Sequence, residues 1–290
     1  MIPFDSVTPL IVVALGALWS EKAGILNIAL EGQMLAGAFA AVLIWYATGN
    51  ELAALAAAVT VGGLSGQLLA WGTLDWKTDP FIAALGLNLF LPAVTGWVSF
   101  SLFGNLGVIR LDRIVVPAIA HVPARFFEAL LLVLTTGLLL YRTPWGLQLR
   151  AAGGSPELAS TLGFSPRRLQ RQALSLSGAL AALGGAFLSL SLGAFVPGMS
   201  AGTGWTALVA LYLGFRRPGL VLAACFLLAW AEQAAAALQA VPSLPTGVVL
   251  ALPSLVTTVV YVITSAIQGS PRRGKRGPWK TQGRPSRSHS

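Results

Sequence analysis

Apolar residues in this chain come in long runs separated by short polar punctuation, with neither the alternation of a half-buried strand nor the stripe of an amphipathic helix. Runs over 33–48, 52–71, 81–103, 126–142, 173–196, 219–240 and 245–267 each cross or nearly cross a hydrocarbon layer about 30 Å thick at about 1.5 Å per helical residue. Two shorter runs, 8–19 and 204–215, would cover only about 18 Å as straight helix and predict short, broken or re-entrant elements. Counting both as crossings predicts an all-α polytopic membrane protein of about nine spans, within a range of eight to ten. Helix starts are marked at Thr8-Pro9, Asp79-Pro80, Ser155-Pro156 and Ser165-Pro166, where a capping side chain precedes proline at the first helical position.

Composition agrees with lipid as the main solvent. Of the 290 residues, 55% are hydrophobic and 10% charged, against roughly 25% charged in an ordinary soluble domain. A net charge of +9 would suggest nucleic acid in a soluble protein, but here most basic residues sit between apolar runs and report topology. With the N-terminus outside, nine spans put Lys22, Lys77, Arg142, Arg150, Arg167, Arg168, Arg171, Arg216, Arg217 and the tail cations in the cytoplasm, 16 of the 19 basic residues. Arg110, Arg113 and Arg125 fall outside. The organisation expected is a transmembrane domain over 1–267, with a cytoplasmic loop at 143–172. A disordered basic cytoplasmic tail follows at 268–290, rich in Pro, Gly, Ser and Arg. No nucleic-acid partner is expected.

The residues also limit the chemistry. One cysteine, Cys225, and two histidines, His121 and His289, build no disulfide framework, metal cluster or hydrolase triad. The stretch 269–275 is spaced like a phosphate-binding loop, but Arg276 stands where Ser or Thr is required and a membrane run precedes it. Neither an enzyme nor a bound metal or cofactor is expected on this chain.

Four features can carry function. Ser20 to Gly37 places Glu21, Lys22, Asn27 and Glu31 among glycines between two apolar runs. It reads either as an amphipathic connector or as a helix broken inside the membrane, which is tolerated only beside a cavity or protein. On a helix, Asn27 and Glu31 would share one face. A second glycine-interrupted segment, Phe195 to Gly214, includes Gly202, Thr203 and Gly204, and is either an exterior loop or the counterpart of the first break. Paired breaks in the two halves of a chain point to a transporter's central site. Pro92 frees the carbonyl of Asn88 near mid-span, which makes either a kink satisfied by a neighbouring helix or a polar ligand contact. Glu232, beside Gln233, is ionisable within a span and costs at least about 2.5 kcal/mol unless it faces a partner or water. The fourth feature is the loop 143–172. Ser155 caps, Pro156 and Glu157 suit the first turn, Gly163 suits a left-handed stop, and Leu158, Ala159 and Leu162 form a small apolar face. Such a short helix fits docking into a partner's groove, or lying on the lipid surface.

Three stretches resemble a known family: TPLIVVALGALWSEKAGILNIALEGQMLAGAFAA near the start, LRAAGGSPELASTLGFSP in the loop, and MSAGTGWTALVALYLGFRRPG in the second half. In order and spacing they are similar to the permease subunits of ABC importers in the branched-chain amino acid and simple-sugar superfamily, nucleoside-type members above all. The chain departs from that pattern at Thr203, where a basic residue is expected, and around LGFRRPG, where Trp-Arg-Pro is usual. The resemblance implies a subunit of a bacterial or archaeal cytoplasmic membrane. It would pair with a second permease, similar or identical, and receive cargo from an extracytoplasmic binding protein. Two cytoplasmic ATPases carrying ATP and Mg would supply the energy. It makes Pro156 to Gly163, with the preceding Arg150 and Gly153, the ATPase-coupling element. The expected cargo is a nucleoside, with a simple sugar or branched-chain amino acid as alternatives. Asn27, Glu31, Asn88, Gly202, Thr203, Gly204 and Glu232 are the expected path. A different class, an ion-coupled secondary transporter, would use Glu31 and Glu232 as proton carriers.

Overall fold

The computed structural model describes residues 4–104, 107–111, 118–119 and 122–239; the predicted span 245–267 and the tail 268–290 lie outside them. The helices are α1 (Phe4–Lys22), α2 (Leu30–Thr48), α3 (Glu51–Ala70), α4 (Pro80–Phe103), α5 (Ala124–Arg142), α6 (Pro144–Gly154), α7 (Pro156–Thr161), α8 (Pro166–Leu192), α9 (Thr203–Leu213) and α10 (Pro218–Gln239). A π-helical turn, Trp71–Asp75, extends α3. Four two-residue strands form two antiparallel ribbons, β1 (Ile109–Arg110) with β4 (Ala194–Phe195) and β2 (Ala118–Ile119) with β3 (Val122–Pro123). Among the described residues seven helices are long and apolar enough to cross a bilayer, and α9 is a shorter apolar helix.

The proline signals behave as capping chemistry dictates at three of the four sites. Asp79 accepts from the amides of Phe81 and Ile82, Ser155 from Leu158 and Ser165 from Arg168. Thr8-Pro9 is the exception: α1 already starts at Phe4 and contains Pro9. The Thr8 hydroxyl instead donates to the Phe4 carbonyl at 2.7 Å. The 8–19 run therefore belongs to a full-length helix of 19 residues, because polar Thr8 and Ser20 satisfy themselves on their own helix and are buried with it. The 204–215 run is short as expected, at 11 residues.

Side-chain contacts sort the helix ends. At one end Arg171 of α8 pairs with Asp75 at 2.6 Å, and Arg216 after α9 pairs with Glu21 of α1 at 2.9 Å. Arg150 of α6 lies over the Tyr141 ring of α5. We call this the basic end. At the opposite end the buried Arg125 of α5 pairs with Glu51 of α3 at 2.7 Å and donates to Ser191 of α8 at 2.9 Å. The ion pairs place the ends of α1, α3, α5 and α8 at one end or the other, whereas α2 starts inside the bundle.

The core is α8 with α1, α2 and α3 around it. Lipid offers helices no hydrophobic reason to associate, so close packing through small residues must do it. Gly16 of α1 approaches the Ser177 carbonyl of α8 so closely that a β-carbon would stand 2.7 Å from it. Gly37 and Gly62 likewise press on Ala182 and Gly178, and Gly185 presses on Met34. In its most apolar stretch α8 is 72% buried, whereas α4 is 17% buried and shows Leu89, Phe90, Trp97 and Phe100 outward. The first is a core helix and the second a peripheral one.

Adjacent glycines of α3 give a direct test. A β-carbon at Gly62 would overlap the Gly178 carbonyl, while one at Gly63 would make ordinary contact 3.5 Å from the Ser175 hydroxyl. Gly62→Ala is expected to cost about 1–3 kcal/mol through overpacking and to lower the thermal midpoint of the detergent-purified protein. Gly63→Ala should leave that midpoint unchanged.

Candidate functional site

Two interruptions of helical backbone meet inside the bundle. The first runs from Ala23 to Ala29, between α1 and α2. It opens at Gly24, whose φ of +78° and backbone contact with Gly153 both require glycine. Asn27 then replaces the missing helical hydrogen bonds. Its amide nitrogen donates to Gln33 at 2.7 Å and to Ser177 at 2.9 Å, its side-chain oxygen accepts from the Ala29 amide at 2.9 Å, and its backbone N–H donates to the Ser20 hydroxyl at 3.1 Å. The side chain is fully buried. Ser177 stands 11 residues into α8, so Asn27 lies roughly 16 Å from that helix's start, near half the depth of a bilayer.

Asn88 supports the same break from α4. It donates to the Ile28 carbonyl at 2.9 Å and accepts from the Gly32 amide at 2.8 Å. Its side chain thus supplies a donor and an acceptor to backbone that has left the helix.

The second interruption lies between Gly193, which ends α8 in the left-handed region, and α9. Its first residues form β4 against β1, with Ile109 opposite Phe195, and a chain of turns through Gly198 and Ala201 leads to Gly202 at φ +88°. Since α9 has 11 residues and its far end lies beside Glu21 through Tyr212, its start is roughly 16 Å above the basic end. The segment before it has re-entered from the opposite end.

Glu31 joins the two. Its carboxylate accepts from the Gly202 amide at 2.9 Å and the Gly204 amide at 2.8 Å. These are open donors at the start of α9, where the helix dipole favours an anion, and Glu31 also lies in the first turn of α2. One carboxylate therefore compensates the positive ends of two helices that face each other at mid-depth. Gly204 is needed for the approach, since a β-carbon there would stand 2.6 Å from the Glu31 amide nitrogen.

Asn27 and Glu31 do not share a helix face, as their spacing suggested, because only Glu31 is helical. Thr203 occupies the first helical position of α9 beside them. Glu232 stands apart on α10 and accepts a long 3.4 Å contact from Thr206. For the partners Ser20, Gln33 and Ser177 the only signal in the sequence is a polar residue inside an otherwise apolar run.

One turn beyond Glu31, towards the opposite end, a cavity of about 210 Å³ is lined by Leu35, Pro92, Thr95, Gly96, Ser99, Phe195, Pro197 and Gly198. Its lining carries no charged side chain. Pro92 reaches it, as does the hydroxyl-bearing face of α4.

At the basic end the loop after α5 contains two short helices, not one. The first, α6, went unpredicted although Thr143-Pro144 has the same form as the other caps, and Thr143 accepts from Gly146 at 3.1 Å. Ser155 caps α7, and Gly163 follows it at φ +82°. The expected apolar face divides: Ala159 is buried against the body, while Leu158 and Leu162 are each 60% exposed. Four residues apart, these two leucines make an outward knob. Glu157 lies in the first turn of α7, and Arg150 stacks on Tyr141. Gly153, near the end of α6, lies directly on Lys22 and Gly24.

The profile described as "Branched-chain amino acid transport system / permease component" matches residues 5–265. TsgC13 of Haloferax volcanii, provisionally named a glucose ABC transporter permease, is 30% identical, with 77% of this chain and 72% of that one aligned. The guanosine ABC transporter permease protein NupQ of Bacillus subtilis is 28% identical over 77% of each chain. The nucleoside ABC transporter permease protein NupC of Lactococcus lactis subsp. cremoris is 29% identical over 73% of each. No solved structure matches the chain. A profile covering nearly the whole bundle, both breaks included, places this protein in the branched-chain amino acid transport system / permease component family, as a multi-pass ABC transporter permease subunit.

Proposed function

We propose that this subunit imports a nucleoside through the junction of its two broken segments. The supporting observation is the mid-depth closure by Glu31 beside an uncharged cavity. Breaking the contacts of Glu31 releases the start of α9 from the first break, so one carboxylate acts as the latch of the path. A nucleoside carries hydroxyls, ring nitrogens and a flat base without net charge. The hydroxyl oxygens of Thr95 and Ser99 offer it uncharged acceptors, and Phe195 offers an aromatic wall. At about 210 Å³ the cavity is smaller than the ~300–1,000 Å³ of sites that hold ligands tightly, which suits a weakly held cargo in transit. Asn27 and Asn88 serve the path by shaping the break, since both ends of each side chain are committed to protein. Gly202, Thr203 and Gly204 form the movable rim.

In this reading the basic end is cytoplasmic, and an extracytoplasmic binding protein delivers cargo at the other. A second permease covers apolar α4, and the tail 268–290 stays inside. ATP and Mg act on a partner ATPase that grips Leu158 and Leu162. Its motion enters through α6, because Gly153 rests on the first residues of the first break.

Three outcomes follow. In cells lacking this chain, reintroducing it restores uptake of labelled guanosine or uridine and not of glucose; restoration of glucose uptake alone would overturn the cargo. Glu31→Ala lowers nucleoside uptake at least about tenfold, near 1.4 kcal/mol, while Glu31→Gln, which keeps one acceptor oxygen, loses less. If Glu31→Gln abolishes uptake in an assembled, ATP-hydrolysing complex, a proton-carrying role replaces the latch. Gly153→Val leaves the ATPase bound but cuts uptake per ATP hydrolysed several-fold, whereas Gly154→Val, facing open space, changes neither.

A further inference from the structure

A second cavity has no role in the cargo path. It is an open groove of about 580 Å³ on the outer surface between α3 and α8, and its lining includes Val59, Gly63, Gln67, Arg168, Arg171 and Ala179. Gln67 to Val59 on α3 and Arg171 to Ala179 on α8 each span eight residues, so the groove runs roughly 12 Å inward from the basic end. Its inner part is apolar or backbone, and its mouth is cationic.

The charges at that mouth do not balance. Arg167, Arg168 and Arg171 occupy the first two turns of α8, where the dipole is positive, and the first turn holds no acidic side chain. Asp75 accepts both its contacts from one terminal nitrogen of Arg171, at 2.6 and 2.9 Å. The Nε of Arg171 is buried without a hydrogen-bond partner. Among the described residues Asp75 is thus the one carboxylate paired with this trio of guanidinium groups at a positive helix end.

We infer that this groove binds an anionic glycerophospholipid of the leaflet at the basic end, its phosphate at Arg168 and Arg171 and an acyl chain along Val59, Gly63 and Ala179. Phosphate meets a guanidinium cluster at the headgroup level, as in basic pockets between membrane helices. Ser175 keeps the channel open by donating to the Gly63 carbonyl at 3.0 Å instead of filling it. The site is independent of the cargo, since none of its residues reaches the Glu31 junction.

The test is lipid retention by the full chain with its assembled partners, exchanged into nanodiscs of mixed phosphatidylglycerol and phosphatidylcholine and then stripped with mild detergent. Native mass spectrometry should find phosphatidylglycerol retained at least fivefold over phosphatidylcholine. Arg168→Gln with Arg171→Gln should abolish that preference. Gly63→Leu fills the tail channel, leaves the arginines in place, and should lower retention of both lipids severalfold. Soluble glycerol phosphate should not compete, because the tail is part of the ligand. Equal retention of the two lipids by the wild-type chain, unchanged retention in Gly63→Leu, or competition by glycerol phosphate would each overturn the proposal. So would efficient disulfide cross-linking of two chains through Cys introduced at Val59, which would make the groove a protein interface.

Discussion

The structure depends on one carboxylate at mid-depth. Wherever a membrane helix is interrupted, its terminal N–H groups lose their partners in a medium that offers no water, and each unsatisfied group costs several kcal/mol. Here two such starts are turned towards each other, so their dipoles add unfavourably. Glu31 resolves both problems by lying in the first turn of α2 and accepting from Gly202 and Gly204 at the start of α9. Charge-assisted bonds of this type are stronger than neutral ones. That contact ties the second break to the first.

The surrounding scaffold follows from the same constraint. The first break needs replacements for its lost backbone bonds, and Asn27 and Asn88 supply them from within the break and from α4. A buried and a half-buried amide can do this only if neighbouring backbones come close. That closeness is provided by glycines along α1, α2, α3 and α8. The rigid part of the molecule is therefore the four-helix centre. Outside it lie the segment before α9 and the stretch from Gly24, on which α6 packs through Gly153.

Much of this was readable in the residues. Among the described residues six of the long spans followed from apolar run length, three of four proline caps from local chemistry, and both breaks from glycine and polar residues interrupting apolar runs. The Thr8-Pro9 start misled because α1 runs one turn earlier, with the Thr8 hydroxyl donating to the Phe4 carbonyl and the Phe4 ring packed on Phe126. The separation of Leu158 and Leu162 from Ala159 was hidden because an apolar face looks alike whether it meets a partner or its own protein. Asn27 and Asn88 were visible as polar residues in apolar surroundings, but spacing could not tell a cargo contact from a backbone support. That distinction needs the partner atoms, and those come from residues up to 150 positions away. Glu31's partners are more distant still, at 171 and 173 positions.

The measurement closest to the central claim is amide hydrogen exchange over 196–204 in nanodiscs, compared between the wild-type protein and Glu31→Ala. If Glu31 closes the junction, the Gly202 and Gly204 amides are protected in the wild type. They exchange at least tenfold faster in the variant, while peptides from the centre of α8 are unaffected. Equal exchange at those two amides in both proteins would contradict the account.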